Sequence, residues 1–369
     1  MDDIEVIATT TIAWMGAGIG MVFGLAGNRS NFCTMGAVAD IVNMGSWTRM
    51  RMWLFAIAIA IIGTGALQLG GFIDIAKTSY TGPNLMWLSN LLGGAIFGVG
   101  MTLAGGCGAK TLIRLGGGSM KALIVFTFTA IAAYMTMRGL FGVWRVSLID
   151  PMAMALPTHQ DLPSLVAHSG GMARDTALLV MMAIVGGGAA VFALAGRDFR
   201  RAEPLLGALV IGLTIVAGWY VTGHLGFVEE HPQTLDEAFI GTNSGRAESL
   251  SFMGPYAYTL ELLVLWTDAS RIVTFGIASA LGVIVGSALA AISSGSFRIE
   301  TFRDAPDLGR HIIGAVLMGF GGVTAVGCTI GQGLTGVSTL AVGSFLTFAG
   351  IVGGCVAMVK WEYWRAMQD

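Results

Sequence analysis

Nine apolar runs, each about the length a helix needs to cross a bilayer, constrain this 369-residue chain more than any other feature. They fall roughly at 6–26, 51–73, 85–104, 121–143, 175–196, 204–223, 271–293, 311–327 and 339–360. Hydrocarbon offers backbone N–H and C=O groups no water to bond, so runs of this length satisfy their own backbone as helices. Charge is correspondingly scarce: 20 Lys+Arg and 22 Asp+Glu make 11% of the chain, against about 25% in a soluble domain. With 54% hydrophobic residues and a mean hydropathy of +0.75, the chain cannot make the surface of a soluble enzyme, a nucleic-acid binder or a disordered protein. The expected fold is an all-α integral membrane protein of about nine transmembrane helices.

Acidic rather than basic residues precede the first run, so it reads as a span and not as a signal peptide. A tenth run, Phe252 to Trp266, is about 15 residues long and holds Gly254-Pro255, which suits a re-entrant or interfacial segment. With the N-terminus outside and the C-terminus cytoplasmic, most of the 20 Lys and Arg fall on the inner side, among them Arg29, Lys110, Arg114, Arg200 and Lys360. Only Lys77, Arg138, Arg145, Arg174, Arg246 and Arg271 fall outside. The sizeable outer connections, 144–174 and 224–270, are expected to form caps; the second carries Glu229, Glu230, Asp236, Glu237 and Glu248.

Shifting the sequence by 221 positions superposes Gly93 on Gly314, Gly98 on Gly319, Gly100 on Gly321, Ala104 on Ala325, Gly106 on Gly327 and Cys107 on Cys328. A third copy lies upstream, where Gly20, Phe23, Gly24 and Cys33 match Gly94, Phe97, Gly98 and Cys107. A fourth, from Gly207 to Gly218-Trp219, keeps the glycines without a Cys; Trp219 and Tyr220 there are candidates to close a path. The copies end spans one, three, six and eight. The first two finish inside and the last two outside. Residues 1–145 (spans 1–4) and 201–369 (spans 6–9) therefore read as inverted pseudo-two-fold repeats, joined by an outer loop and span five at 146–200.

Cys33, Cys107 and Cys328 each introduce a Gly-bounded segment too short to span: Thr34–Gly45, Gly108–Leu115 and Thr329–Val337. Broken backbone at membrane depth persists only inside protein or beside a polar cavity. These segments read as re-entrant half-helices whose free N–H groups and positive dipole ends suit an anion. The candidate substrate-binding residues are Cys33, Cys107 and Cys328, the flanking Gly106, Gly108, Gly327 and Gly331, and Lys110, whose first duty, like that of Arg114, is the positive-inside bias. Cys355, within the last span, reads as packing, and Asp40 as a cap or structural partner. The five His fall in loops or at span ends, which reads as solvated or interfacial. No CxxC or Cys/His spacing suggests a metal, no cofactor is implied, and disulfides between opposite faces are not expected. No catalytic constellation or nucleotide motif points to an enzyme or an ATP-driven pump.

Asn31-Phe32-Cys33-Thr34-Met35-Gly36, Gly105-Gly106-Cys107-Gly108 and Gly327-Cys328-Thr329-Ile330-Gly331-Gln332-Gly333, with Gly218-Trp219-Tyr220-Val221-Thr222-Gly223, resemble the YeeE/YedE family of sulfur-compound transporters over about 10–145 and 200–360. The resemblance implies a bacterial inner-membrane protein that takes up thiosulfate through pseudo-symmetric halves. It implies that Cys33, Cys107 and Cys328 relay the anion by S–H hydrogen bonds, and that a small SirA/TusA-like sulfur carrier works on the cytoplasmic side. Some relatives are linked to selenium. Thiosulfate is a dianion with one soft terminal sulfur, and neutral thiols donate weak hydrogen bonds that form and break without trapping it. Two other classes fit the same residues: a transmembrane thiol–disulfide relay, which needs two thiols able to meet, and a passive small-anion channel whose cysteines only pack. The expected partners are a sulfur anion and the lipid bilayer, with no nucleic acid.

Overall fold

The computed structural model describes residues 3–231, 235–268 and 271–368 and is built almost wholly of helix. In chain order the helices are α1 (Asp3–Arg29), α2 (Thr34–Met44), α3 (Thr48–Leu69), α4 (Trp87–Leu103), α5 (Gly108–Gly116), α6 (Met120–Arg138), α7 (Leu140–Trp144), α8 (Leu162–Gly170), α9 (Arg174–Met181), α10 (Gly188–Leu194), α11 (Ala202–Tyr220), α12 (Met253–Val264), α13 (Phe275–Ser293), α14 (Ala305–Thr324) and α15 (Val342–Ala366). A π-helical stretch, Met182–Gly187, joins α9 to α10 in one rod. Among the described residues, 8 helical segments are long and apolar enough to cross a membrane, and they match eight of the nine expected spans. The ninth expectation falls on α14. That helix has 20 residues but carries Asp307, Arg310 and His311 in its first two turns, which lowers its apolarity. His311 also departs from the solvated setting expected of it. It is buried, and its Nδ1 lies 2.7 Å from the Asp307 carbonyl oxygen, because Asp307 and Lys121 give the imidazole polar company.

Glycine lets these helices touch backbone to backbone, the packing that works where lipid supplies no hydrophobic drive. A Cβ on Gly93 would stand 2.7 Å from Ala325 N and 2.9 Å from Gly321 O; one on Gly314 would stand 2.6 Å from Ala104 N and 2.7 Å from Gly100 O. The shift of 221 positions that aligns the sequences exchanges one set of contacts for the other. Numbers rise along α4 as they fall along α14, so the two helices cross antiparallel. By contrast Gly16, Gly20 and Gly24 meet Phe275, Ser279 and Val283, so α1 and α13 run parallel. Gly212 meets Ala56 and Ile59 while Gly63 meets Val216, so α11 and α3 also run parallel. The main helix pairs are α1 on α13, α11 on α3, α4 on α15, α14 on α6 and α4 on α14.

The expected caps contain small structured pieces. Strand β1 (Asn84–Leu85) pairs antiparallel with β2 (Met154–Ala155), and β3 (Phe227–Val228) with β4 (Ala238–Phe239). Between β2 and α9 the chain latches onto the corner before α15, with Leu162 N donating to Leu340 O and Val342 N to Gln160 O, both at 3.0 Å. Helix α12, read from the sequence as non-spanning, has 12 residues. Its first turns, with Met253, Tyr256 and Ala257, are buried, and its far end exposes Leu263 and Val264.

Candidate functional site

One broken unit occurs three times. A long helix stops, a residue turns left-handed, a Cys follows two positions later, and a short helix starts. The left-handed residues are Asn31 (φ 52°), Gly105 (φ 72°) and Val326 (φ 58°). A second left-handed residue closes each short helix: Gly45 (φ 65°), Gly118 (φ 96°) and Leu340 (φ 59°). For a β-branched residue such as Val326 that conformation costs roughly 1–2 kcal/mol. It is held by the turn, in which Val326 N donates to Val323 O at 3.1 Å and Gly327 N to Gly322 O at 2.8 Å.

Each Cys stands where a helix N-cap stands. Cys33 caps α2 in extended backbone, and Gly36 N donates to its sulfur at 3.4 Å. Gly331 N donates to Cys328 Sγ at 3.4 Å. Cys107 caps α5 with no side-chain bond to the helix. Ser, Thr, Asp or Asn normally fill this position. A thiol is a poorer acceptor, so these helix ends keep N–H groups that are only weakly engaged. All three cysteines are buried, as is Cys355, and all four are free thiols.

Cys107 lies within electrostatic reach of both Cys33 and Cys328. Buried Tyr256 is close to Cys107 and Cys328, and its hydroxyl donates to Gly108 O at 2.7 Å. Lys110 is close to Cys107 and Cys33, and its Nζ donates to Asn31 Oδ1 at 3.2 Å, joining two broken units. The sequence-derived glycines stand at the same loops, each with a neighbour close to where a Cβ would sit. A Cβ on Gly106 would meet Lys110 Cγ at 3.1 Å, on Gly108 Met253 Cε at 2.7 Å, on Gly327 Gln332 Cγ at 3.0 Å, and on Gly331 it would run into Ser251 Oγ. Asp40 is a structural partner, 2.9 Å from Arg49 Nε. Cys355 packs at the α4–α15 crossing and accepts a bond from Thr102 Oγ1 at 3.3 Å, yet it too lies within electrostatic reach of Cys33 and Cys107. Trp219 is fully buried and donates to Ser338 Oγ at 3.0 Å, whereas Tyr220 turns to Phe72 and His224.

Cavities reach these loops from two sides. One of about 330 Å³ is lined by Arg138, Arg145, Glu248, Tyr258, Ser251 and Met253 and ends at Val326 and Gly327, beside Cys328. Another, of about 380 Å³, is lined by Met35, Ala39, Asn43 and Glu362 and reaches Gly105. Met253, tight against Gly108 and Gly322, stands between the first cavity and the start of α5. The sequence reading missed the residues that line the first cavity. Arg138 and Arg145 did carry a signal, as two of the few basic residues placed outside against the positive-inside bias. Glu248 carried none, being one acid among several in a loop. Among the described residues no His, Cys, Asp and Glu are grouped to hold a metal.

A family model described as sulphur transport matches residues 29–357. The chain is 26% identical over 341 residues to the thiosulfate transporter TsuA of Spirochaeta thermophila, covering 90% of this chain and 94% of that protein. It is 29% identical over 327 residues to the thiosulfate transporter TsuA of Escherichia coli strain K12, covering 85% of this chain and 84% of the relative. Those relatives are transporters and not enzymes.

Proposed function

Because the chain belongs to the YeeE/YedE family of sulfur-compound transporters, we propose that it takes up thiosulfate across a bacterial inner membrane, passing the anion from Cys328 to Cys107 to Cys33. The observation that carries this reading is the threefold use of a cysteine as the cap of a short buried helix. Each station offers an S–H for the soft sulfur and backbone N–H groups for the sulfonate oxygens. Thiols are neutral partners, so the dianion is not held too tightly to leave. Lys110 supplies a positive charge at the handover from Cys107 to Cys33. Gly106, Gly108, Gly327 and Gly331 keep side chains out of the loops.

The two halves, 1–145 and 201–369, are inverted repeats around a linker at 146–200. The reciprocal α4–α14 contacts and the antiparallel crossing of those helices support this. With α14 counted as the ninth crossing, the N-terminus lies outside and the C-terminus in the cytoplasm, where a SirA/TusA-like carrier accepts the product. The test is uptake of labelled thiosulfate into proteoliposomes holding the purified chain. Thiosulfate should enter and resist competition by excess sulfate, whose oxygens gain little from thiols. Equal competition by sulfate would refute a path built on sulfur chemistry.

A further inference from the structure

The cysteine path leaves unexplained why an anion vestibule should contain a carboxylate. Glu248 is half-buried in the wall of the 330 Å³ cavity. Its backbone is pinned on Thr222, whose hydroxyl donates to Glu248 O while Glu248 N bonds Thr222 Oγ1. Its Oε2 accepts from Ser244 Oγ at 2.9 Å, and a Cβ on Gly276 would come within 3.7 Å of its Oε1. The charged and titratable groups that share the cavity are Tyr80 from the α3–α4 connection, Arg138 from α6, Arg145 from the segment after α7 and Tyr258 from α12. Arg145 is paired with Asp150 at 3.1 Å, and Arg246, on the loop of Glu248, is turned away to donate to Thr78 O. Among the described residues neither Glu248 nor Arg138 has an ion-pair partner.

An unpaired carboxylate inside a protein wall is costly, and a dianion in the same cavity makes it costlier. Taking up a proton removes both penalties and leaves Arg138 free to attract the anion. The geometry points to Glu248 as a proton-binding site of the outer vestibule, whose protonation admits the dianion to the path. The chemistry balances without a redox step: one proton from the external solution forms one carboxyl O–H bond, and the anion passes unchanged. Burial pushes the Glu248 carboxyl up to about 7, with the Ser244 bond pulling the other way. The group is therefore mostly protonated at pH 6 and mostly ionised at pH 8. Admission should fall by about tenfold between those values.

This inference rests on the transport reading, and two measurements keep the fates of the two apart. In proteoliposomes with fixed internal pH, initial thiosulfate uptake by the wild type should fall about tenfold as external pH rises from 6 to 8. Glu248→Gln, which mimics the protonated carboxyl at nearly the same size, should hold uptake at the pH 6 level throughout. A flat wild-type profile, or an unchanged slope in Glu248→Gln, overturns the inference while leaving thiosulfate transport intact. Absence of wild-type uptake at every pH overturns the transport reading instead. The second measurement needs no transport. Thiosulfate added to the purified protein at pH 7 in weak buffer should draw about half a proton per bound anion from solution, and none in Glu248→Gln. Proton uptake that persists in the variant removes Glu248 from the linkage.

Discussion

Replacing Cys107 by Ser separates folding from transport. Cys107 has the extended backbone of an N-cap (φ −75°, ψ 173°) but makes no side-chain bond to α5. Ser is a preferred cap whose oxygen bonds the second or third free N–H, worth typically about 1 kcal/mol relative to a side chain that makes no such bond. The variant should therefore be no less stable than the wild type in a thermal melt. Its oxygen, however, takes up a helix-end N–H group that would otherwise face the anion. The anion then meets a station with one charge-assisted hydrogen bond fewer, a loss of about 1.5–3 kcal/mol. Stations in series cannot compensate for one another, so uptake should fall roughly 10- to 150-fold. Cys33→Ser and Cys328→Ser should behave alike, since a shorter O···H–N bond replaces the 3.4 Å contacts from Gly36 and Gly331. The assay is initial uptake of labelled thiosulfate at matched protein density, beside the melting curve. Wild-type uptake by a stable Cys107→Ser protein would refute the relay and leave a passive pore. A single surviving Cys trapped as a mixed disulfide would favour a redox relay.

Cys355→Ser should retain uptake within about twofold of the wild type, because its sulfur already bonds Thr102 in a helix crossing and the hydroxyl can do the same; a loss like that of Cys107→Ser would place it on the path. Gly93→Val and Gly314→Val should destabilise the protein by similar amounts, about 1–3 kcal/mol each, since each forces apart the same antiparallel crossing; chemical denaturation of the two would expose any asymmetry. Accessibility tags at the N-terminus and in 225–250 should report from outside, and tags in 197–203 and at the C-terminus from inside. Both termini in the cytoplasm would mean that α14 does not cross.

The fold was largely legible because bilayer physics leaves few choices for long apolar runs, and eight of the nine expected spans are helices of spanning length. The ninth, α14, has the length of a span but falls short in apolarity. Helix α14 carries Asp307 and His311 in a polar network with Lys121, and such residues survive only where neighbouring helices partner them. The 221-position repeat was legible because Gly recurs wherever two backbones touch, and contact between backbones is a property of one residue type. The cysteines stood out for the same reason, fixed beside those glycines. Glu248, Tyr256 and Met253 did not. Their roles depend on which loop folds back against which helix end, and local sequence carries no record of that. His311 was misread because its partners lie on α14 and α6, and no spacing in the chain joins His311 to Lys121.

On the path proposed above, the burial of a dianion also gives a reason for a cysteine at the cap. In a low-dielectric interior an uncompensated charge costs many kcal/mol, so each station must offer positive potential. A helix N-terminus carries about half a unit charge, so the ends of α2, α5 and the short helix that starts after Cys328 together present roughly 1.5 units. Lys110 adds a formal charge between two of them, and Arg138 another at the mouth. An Asp cap would cancel this potential and repel the anion, and a Ser or Thr cap would occupy the N–H groups that face it. A thiol does neither: it is neutral, accepts weakly and donates weakly, so the helix end stays positive and its N–H groups stay free to turn to a passing sulfonate. The same weakness limits how long the anion stays. A station that satisfied thiosulfate as fully as water does, with three charge-assisted bonds of about 1.5–3 kcal/mol each, would become a trap; one weak S–H and a few shared N–H groups leave the next station as good a partner as the last.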